Sequence, residues 1–456
     1  MASDMVVALG RSTVDGRTLF GHNSGRPSHS PPSSPGGEGR GVRGEGPWLV
    51  RTPGRCFAPG ERLRTQHLEL PQARQTYTVV GGQSKGLWGY HHGVNEHGVA
   101  IGYTTLRTRL QCDRPGLLGT DLVRLGLERA NSARQAVELL TDLVSRHGQG
   151  AYPGCPPADR YDSALLIADA AEAFAVETSG QHWVYQEIQQ VRAMSDVCTI
   201  HQDWDWIARG LASHAIGQGW WPADGSKLDF ATAVSAAPDA DRPALRRWGR
   251  ATLLLEQQNG HIDLAFIRRL LGDHYEGTED EADPLHKVTG PEPICRHEGT
   301  GGATAASLVA PLGGVPMAWC AFGPPCTGVY LPVFLDGDLP SAFGRDRESA
   351  EAPLARRLWQ LVRQVGGDAE RWAAARVAFD QLQARLDLDA EEFLAETADL
   401  RERGDRVEFG RLAGLFMQHA AERFETVLEG LLTPPARQAA PAGDLEPAGA
   451  PGLNDE

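Results

Sequence analysis

GVNEHGVAIG at positions 93–102, followed by LLGTDLVRLGLERA at 117–130, is the stretch from which the rest of the chain is read. TYTVVGGQ (76–83) and VNEHGVAIGYTT (94–105) read as strands separated by a Gly-rich bend. Asn95 and Glu96 fit a tight turn, because Asn tolerates left-handed backbone geometry. A helix should follow from about Thr120 to Arg129, with Thr120 or Asp121 as its cap. A second begins at Ser132, where Ser132 and Gln135 form a capping box. Its stripe of Ala133, Ala136, Val137, Leu140, Leu143 and Val144 recurs at helical spacing, and Gly148 closes it.

Towards the start, MVVALGRSTVDGRTLFGHNS reads as a hairpin. Met5 to Leu9 is one arm, Asp15-Gly16 the turn, and Thr18 to Gly21 the return. The segment 28–47 is rich in Ser, Pro and Gly and cannot bury enough apolar surface to order itself, so it is expected to be a mobile insertion. Its glycines lack the preceding strand and following helix of a phosphate loop. Towards the end, SALLIAD (163–169), AFAVETS (173–179) and HWVYQ (182–186) are short, β-rich and divided by turns. ATAASLVAPL (303–312) and MAWCAFG (317–323) are apolar enough to be buried on both faces. A helical stretch at 244–272 lies between these blocks. Residues 353–432 carry helical periodicity, with a face suited to covering the main domain or a second subunit. The Pro/Ala/Gly-rich end, 433–456, reads as a disordered tail.

The chain has 456 residues, enough for one large domain or two ordinary ones. Its net charge of −15 argues against non-specific nucleic-acid binding, which needs basic surface. Neither a signal-peptide pattern nor an apolar run of membrane-spanning length is expected from the sequence. The cysteines (Cys56, Cys112, Cys155, Cys198, Cys295, Cys320, Cys326) are odd in number and scattered, which points to reduced thiols and a cytoplasmic location. Cys320 and Cys326 read as buried free thiols, since no second pair stands at zinc-ligand spacing.

Several blocks in order resemble the secernins, grouped with dipeptidases among the N-terminal-nucleophile hydrolases. Besides the two opening stretches they are LFGHNSGRP (19–27), GLWGYHHGVNEHGV (86–99), HGQG (147–150), IADAAEAFAVETSG (167–180), GWW (219–221), DFATAVS (229–235) and ICRHEGT with TAASLV between 294 and 309. The resemblance covers most of residues 3–340. It implies an α/β fold, a four-layer αββα sandwich, as one domain over 1–340. A helical C-terminal region at 350–432 extends it. It also implies hydrolysis of an amide bond in a small peptide or other amide substrate, with no cofactor, no nucleic-acid partner and no membrane. Homo-oligomerisation stays open.

In such enzymes the first residue after processing attacks, and its own α-amine is the base that activates it. On this chain the resemblance places the nucleophile at Ser3, where the family has Cys. Removal of the initiator Met leaves Ala2 first, so a free amine at Ser3 requires a further cleavage. His22, Asn23, Ser24 and Arg26 fall on a family signature, and Gly25 stands where the family has a carboxylate. His22 would be fully charged only below about pH 6.5, and Arg26 could bind a substrate carboxylate bidentately. Tyr103 is assigned as an oxyanion donor. Asp196 falls beside Ser195 where the family has Asn, and an ionised Asp there would repel an oxyanion. The remaining cation is Arg247 or Arg250, which spacing does not separate. Two alternatives stand beside a dipeptidase. One is a catalytically inactive homologue that binds a ligand or partner, and the other is an amidase of the bile-acid or penicillin acylase type.

Other motifs read as structural. Gly82-Gln83-Ser84-Lys85-Gly86 matches a nucleophile elbow, but GLWGYHHGVN lacks the helix that should follow. His91, His92 and His97 lack a completing Cys or carboxylate, and CRHEGT (295–300) lacks the second His of a zincin. No metal is expected. Trp204, Trp206, Trp220 and Trp221 read as core or pocket lining.

Overall fold

The computed structural model describes residues 3–26, 47–110, 114–150, 160–236, 242–281, 290–297, 303–345, 352–365 and 368–433. The insertion expected at 28–47 and the tail expected at 433–456 fall, apart from Pro47 and Thr433, outside the described residues, as do Cys112 and Cys155.

The opening hairpin is β1 (Asp4–Ala8) and β2 (Thr18–Arg26), with Asp4 opposite Asn23 and Met5 opposite His22. Then come β3 (Trp48–Thr52), β4 (Arg62–Arg64), β5 (Glu69–Pro71), β6 (Val79–Gln83), β7 (His92–Asn95) and β8 (Ala100–Leu106). Helices α1 (Gly119–Arg129) and α2 (Ala133–His147) follow, then β9 (Asp162–Ala168), β10 (Ala173–Ser179), β11 (His182–Glu187), β12 (Val191–Met194) and β13 (Trp206–Ile207). Helices α3 (Leu211–Gly217), α4 (Phe230–Val234), α5 (Arg242–Gln257) and α6 (Leu264–Leu271) lead to β14 (Ala303–Leu312), β15 (Met317–Phe322) and β16 (Leu331–Phe334). Four more helices end the described chain: α7 (Pro353–Val365), α8 (Ala369–Glu396), α9 (Ala398–Glu402) and α10 (Arg406–Leu432).

Two antiparallel sheets stack face to face. One has the order β12-β1-β2-β14-β15-β16, the other β13-β11-β10-β9-β8-β7-β6-β3, and β4 and β5 pair separately. Helices α1 and α2 cover the outer face of the eight-stranded sheet, where Ile101, Leu122, Val137, Leu140 and Ile167 form a core of their own. Helices α5 and α6 cover the six-stranded sheet, and α7, α8 and α10 continue that layer over β15 and β16. The result is a four-layer αββα sandwich with a helical C-terminal extension. β14 is buried along its whole length, one face on the other sheet and one on the helices.

Local signals explain the elements that hold the site. Ser132 caps α2 by accepting from the Gln135 amide at 3.2 Å, and Gly148 ends it at φ +68. The cap of α1 differs from expectation: Leu118 is the capping position, and the Asp121 carboxylate reaches back to its amide at 3.2 Å. The stretch expected as one strand at 94–105 is two strands joined by a turn that Asn95 builds. Its carboxamide accepts from the His97 and Val99 amides, both at 3.0 Å, and donates to the Leu127 and Ala130 carbonyls at 2.9 and 2.7 Å. One buried side chain thus ties the β7–β8 turn to the end of α1.

Candidate active site

The start of β1 lies between layers. Residues alternate across a strand, so Ser3 and Asp4 serve opposite faces of the six-stranded sheet. Ser3 is buried and faces the other sheet, its amide donating to Thr104 Oγ1 on β8 at 3.0 Å. The Gly25 amide on β2 donates to Ser3 Oγ at 3.4 Å. Ser3 is therefore held from both sheets, by Thr104 on one and Gly25 on the other. With no side chain at Gly25, the backbone amide takes the place beside Ser3 where the resemblance implies a carboxylate.

Asp4 faces the helices. Its Oδ1 accepts from Ser195 Oγ at 2.6 Å and from Arg247 Nε on α5 at 3.1 Å. Arg247 is 1 % exposed and also pairs with Asp196 and, at 3.2 Å, with Glu292. Burial works against its charge, but Asp4 and Asp196 more than offset that and raise its pKa. Buried Arg296 shares the neighbourhood, where burial and Arg247 lower its pKa. The structure thus separates the two arginines that spacing could not. Arg247 reaches the strand that carries Ser3, whereas Arg250 turns to Asp273 at 2.7 Å. The charge of Asp196 is spent on Arg247, so it is not the lone repulsive anion expected from sequence.

Asn23 faces the same helices and donates to the Leu271 and Ile294 carbonyls at 2.8 and 3.1 Å, anchoring the segments after α6 and before β14. His22 faces the inter-sheet space against Gly102, where a Cβ would come within 2.5 Å of the ring. His22 Nε2 donates to the Tyr103 carbonyl at 3.0 Å, which leaves its Nδ1 to accept from His92 Nδ1 at 2.7 Å. Burial lowers His22 to about 4 and His91 to about 3, and holds His92 well below its usual range. His22, which the sequence allows to be fully charged only below about pH 6.5, is one half of a neutral imidazole pair with His92. His92 and Ala306, the register partner of Ser24, line a small recess with Trp48, Gly82, Cys320 and Phe322.

Tyr103 corrects the sequence reading. It lies on the outer face of β8 in the helix-facing core, beneath Gly119, on the opposite side of the sheet from Thr104 and Ser3. It cannot serve as an oxyanion donor there, and burial raises its pKa well above the usual value. The period of two had the information: Tyr103 and Thr104 must face opposite ways. Of Arg26 the backbone alone is described, in β2. Asp4 matches the family's start beside Ser3 but was given no role, and Thr104, Glu292 and Arg296 were missed because nothing local in the sequence marks them.

Ser84 contacts His91 Nε2 at 2.7 Å, but an irregular turn follows it rather than the helix an elbow requires. His97 packs edge-on against Tyr77. Trp204, Trp220 and Trp221 pack partly buried against the core, whereas Trp206 is largely exposed. Among the described residues no helix is long and apolar enough to cross a membrane. Beyond this site, His274, Cys295, His297 and Cys326 converge in a second cluster. Sequence reading weighed CRHEGT against the zincin pattern and did not connect it with Cys326 or His274.

The family model for acyl-coenzyme A:6-aminopenicillanic acid acyl-transferase matches residues 58–203. That range holds most of the eight-stranded sheet and helices α1 and α2, which cover its outer face. The chain has the fold of the N-terminal-nucleophile hydrolases. The match does not single out the secernins, and it includes neither Ser3 nor Arg247. Among solved structures the chain is similar to a variant conjugated bile acid hydrolase from Clostridium perfringens, at 13% identity and TM-score 0.41, over 74% of this chain and 95% of that one. It is similar to penicillin V acylase from Agrobacterium tumefaciens at 12% identity and TM-score 0.38, over 73% of this chain and 86% of that one. It is also similar to a Caenorhabditis elegans N-acylethanolamine-hydrolyzing acid amidase ortholog at 10% identity and TM-score 0.31, over 67% of this chain and 91% of that one.

Proposed function

We propose that the chain hydrolyses the amide bond of a small linear substrate, with Ser3 as an N-terminal nucleophile. The observation that carries this reading is the double hold on Ser3, its nitrogen on Thr104 and its Oγ beside the Gly25 amide. Once Ser3 is the first residue, its α-amine takes the Oγ proton, Oγ bonds to the substrate carbonyl carbon, and the carbonyl pair moves to oxygen. The Gly25 N–H beside Ser3 Oγ is a backbone donor for that oxygen. The amine passes its proton to the leaving nitrogen as the C–N bond breaks. Water then releases the acyl group from Ser3. Asp4, braced by Ser195 and Arg247, fixes the first turn of chain after the nucleophile. The secernin resemblance supports a dipeptide as substrate, and the acyl-transferase match supports a wider range of amides.

The test is intact-mass analysis before and after treatment with an electrophilic amide or ester probe, with N-terminal sequencing. A chain beginning at Ser3 that gains one probe mass, lost in Ser3→Ala, supports the proposal. A chain whose Ser3 stays acylated to Ala2 and never labels sinks it. Ligand-dependent thermal stabilisation that survives Ser3→Ala would then mark a binding homologue.

A further inference from the structure

We propose that His274, Cys295, His297 and Cys326 form a tetrahedral site for a thiophilic divalent cation, zinc foremost, that pins the wall of the Ser3 region. This stands on geometry independent of the reading of Ser3.

The four ligand atoms come from separate parts of the chain. His274 follows α6, Cys295 and His297 precede β14, and Cys326 lies in the short turn between β15 and β16. They all lie within 4.8 Å of one another, His274 and Cys295 buried and the other two half-buried. His274 Nε2 and His297 Nε2 are 3.1 Å apart, and His297 Nε2 lies 3.1 Å from Cys326 Sγ and 3.8 Å from Cys295 Sγ. Tetrahedral zinc with ordinary bond lengths requires about 3.3 Å between two nitrogens and about 3.6 Å between nitrogen and sulfur. The two nitrogen–sulfur separations fall on either side of that edge, and the nitrogen–nitrogen separation lies slightly inside its own.

The Glu276 carboxylate accepts from His274 Nδ1 at 3.1 Å. With a cation bound, that partner keeps the proton on Nδ1, so Nε2 turns its lone pair inward. His297 Nε2 then has three neighbours and at most one proton to share among them. A cation at the centre uses the lone pairs of both rings and both sulfurs at once. A carboxylate on the far nitrogen of a ligating His is the usual outer partner of such a site. The backbone carries a matching constraint: Tyr275, directly after His274, sits at φ +65, a region that bulky residues enter only when their surroundings hold them there.

The donor set selects the class of metal. Two thiolates and two imidazoles favour zinc over magnesium or calcium, which take oxygen ligands. Four protein ligands leave no open coordination position, so the site is structural rather than catalytic. What it would hold is close at hand. The Tyr275 hydroxyl donates to the Glu292 carbonyl at 3.1 Å, the Glu292 carboxylate meets Arg247, and Ile294 accepts from Asn23. Arg376 on α8 donates to the Cys326 carbonyl, joining the C-terminal helices to the same point.

The experiment uses the full chain purified without chelator. Metal analysis after gel filtration should find one zinc per chain. Stripped protein titrated with cobalt(II) alone should develop thiolate-to-cobalt charge transfer and tetrahedral visible bands, saturating at one equivalent. Cys295→Ser and Cys326→Ser should lose the charge-transfer intensity stepwise, while Cys320→Ser keeps it all. Since a ligand variant may not fold, the wild type carries a second readout. Iodoacetamide with peptide mapping should modify exposed Cys56 in every sample, but Cys295 and Cys326 only after stripping. Folded wild-type protein that takes up neither zinc nor cobalt at tens of micromolar would overturn the proposal. So would equal alkylation of Cys295 and Cys326 with and without metal, or a Cys295–Cys326 disulfide in freshly purified protein.

Discussion

Two polar clusters flank the segment that follows α6, and they are built on opposite principles. Around Arg247, Asp4, Asp196 and Glu292 supply the partners that a buried guanidinium needs, on a strand, a helix and adjoining loops. Around His297, two imidazoles and two sulfurs face a common centre. The first cluster is closed by the protein's own charges. The second, on the reading proposed above, is closed by a cation. Removing one member of each should therefore have different consequences.

The largest effect is expected from Arg247→Met. It removes the cation that touches buried Asp4, leaving Ser195 as its hydrogen-bond partner and Arg296 as the nearby countercharge. Breaking a buried pair from one side costs about 3–5 kcal/mol. Urea denaturation should show that loss, against a smaller one for Arg250→Met, whose partner Asp273 keeps the Tyr275 amide as a donor. Equal losses for the two would mean that Arg247 is not the keystone of the closed cluster.

The next effect depends on pH. The unfolded chain protonates His22 below about pH 6.5, whereas the folded chain refuses the proton until about pH 4. The stability this contributes is present above pH 6.5 and is lost as pH falls towards 4, amounting to roughly 3 kcal/mol. His91 and His92 act in the same direction. Buried Asp162, raised to about 7, acts the opposite way, so the total is not diagnostic. The difference between wild type and His22→Gln is. Wild type should lose that much more stability than the variant between pH 7 and pH 4, and parallel curves would refute the neutral imidazole pair.

Glu276→Gln probes the open cluster from outside. It keeps all four ligands and removes the carboxylate that orients His274. Metal affinity should fall about 10–100-fold, the usual cost of losing such a partner. Cobalt competition against a chelator measures this directly, and the charge-transfer band should keep its shape. An unchanged affinity would mean that Glu276 does not set the His274 tautomer.

The same contrast shows what could be read from the sequence. Helix α2 was legible at both ends, because Ser132, Gln135 and Gly148 act within a few residues of the bonds they make. The β1–β2 hairpin was legible for the same reason. The insertion of β14 between β2 and β15 was not, since register between strands so far apart leaves no local trace. Stacking of the sheets came from resemblance alone. Within the site, Ser3, Gly25, Asn23, Asp196 and Arg247 were named, but which of them meet was not, nor that Thr104, Asp4 and Glu292 join them. The neutral state of His22 depends on burial, which composition does not report. His274 and Cys326 stand far apart in sequence, and only the turn after β15 brings Cys326 to the CRH segment.

The smallest structural change tests the functional half of the comparison. Thr104→Val keeps shape and burial on β8 and deletes the oxygen that accepts from the Ser3 nitrogen. The loss in stability should be about 1 kcal/mol, the net worth of one hydrogen bond. If Thr104 positions the amine of the nucleophile, covalent labelling of Ser3 should slow well beyond what that loss explains, with kcat falling and KM nearly unchanged. Thr104→Ser, which restores the hydroxyl, should recover the labelling rate. Zinc protection of Cys295 and Cys326 should not move in either variant, because among the described residues no hydrogen bond joins Thr104 or Ser3 to the loop cluster. A Thr104→Val protein that labels at the wild-type rate would remove Thr104 from the chemistry and leave it a packing residue between two sheets.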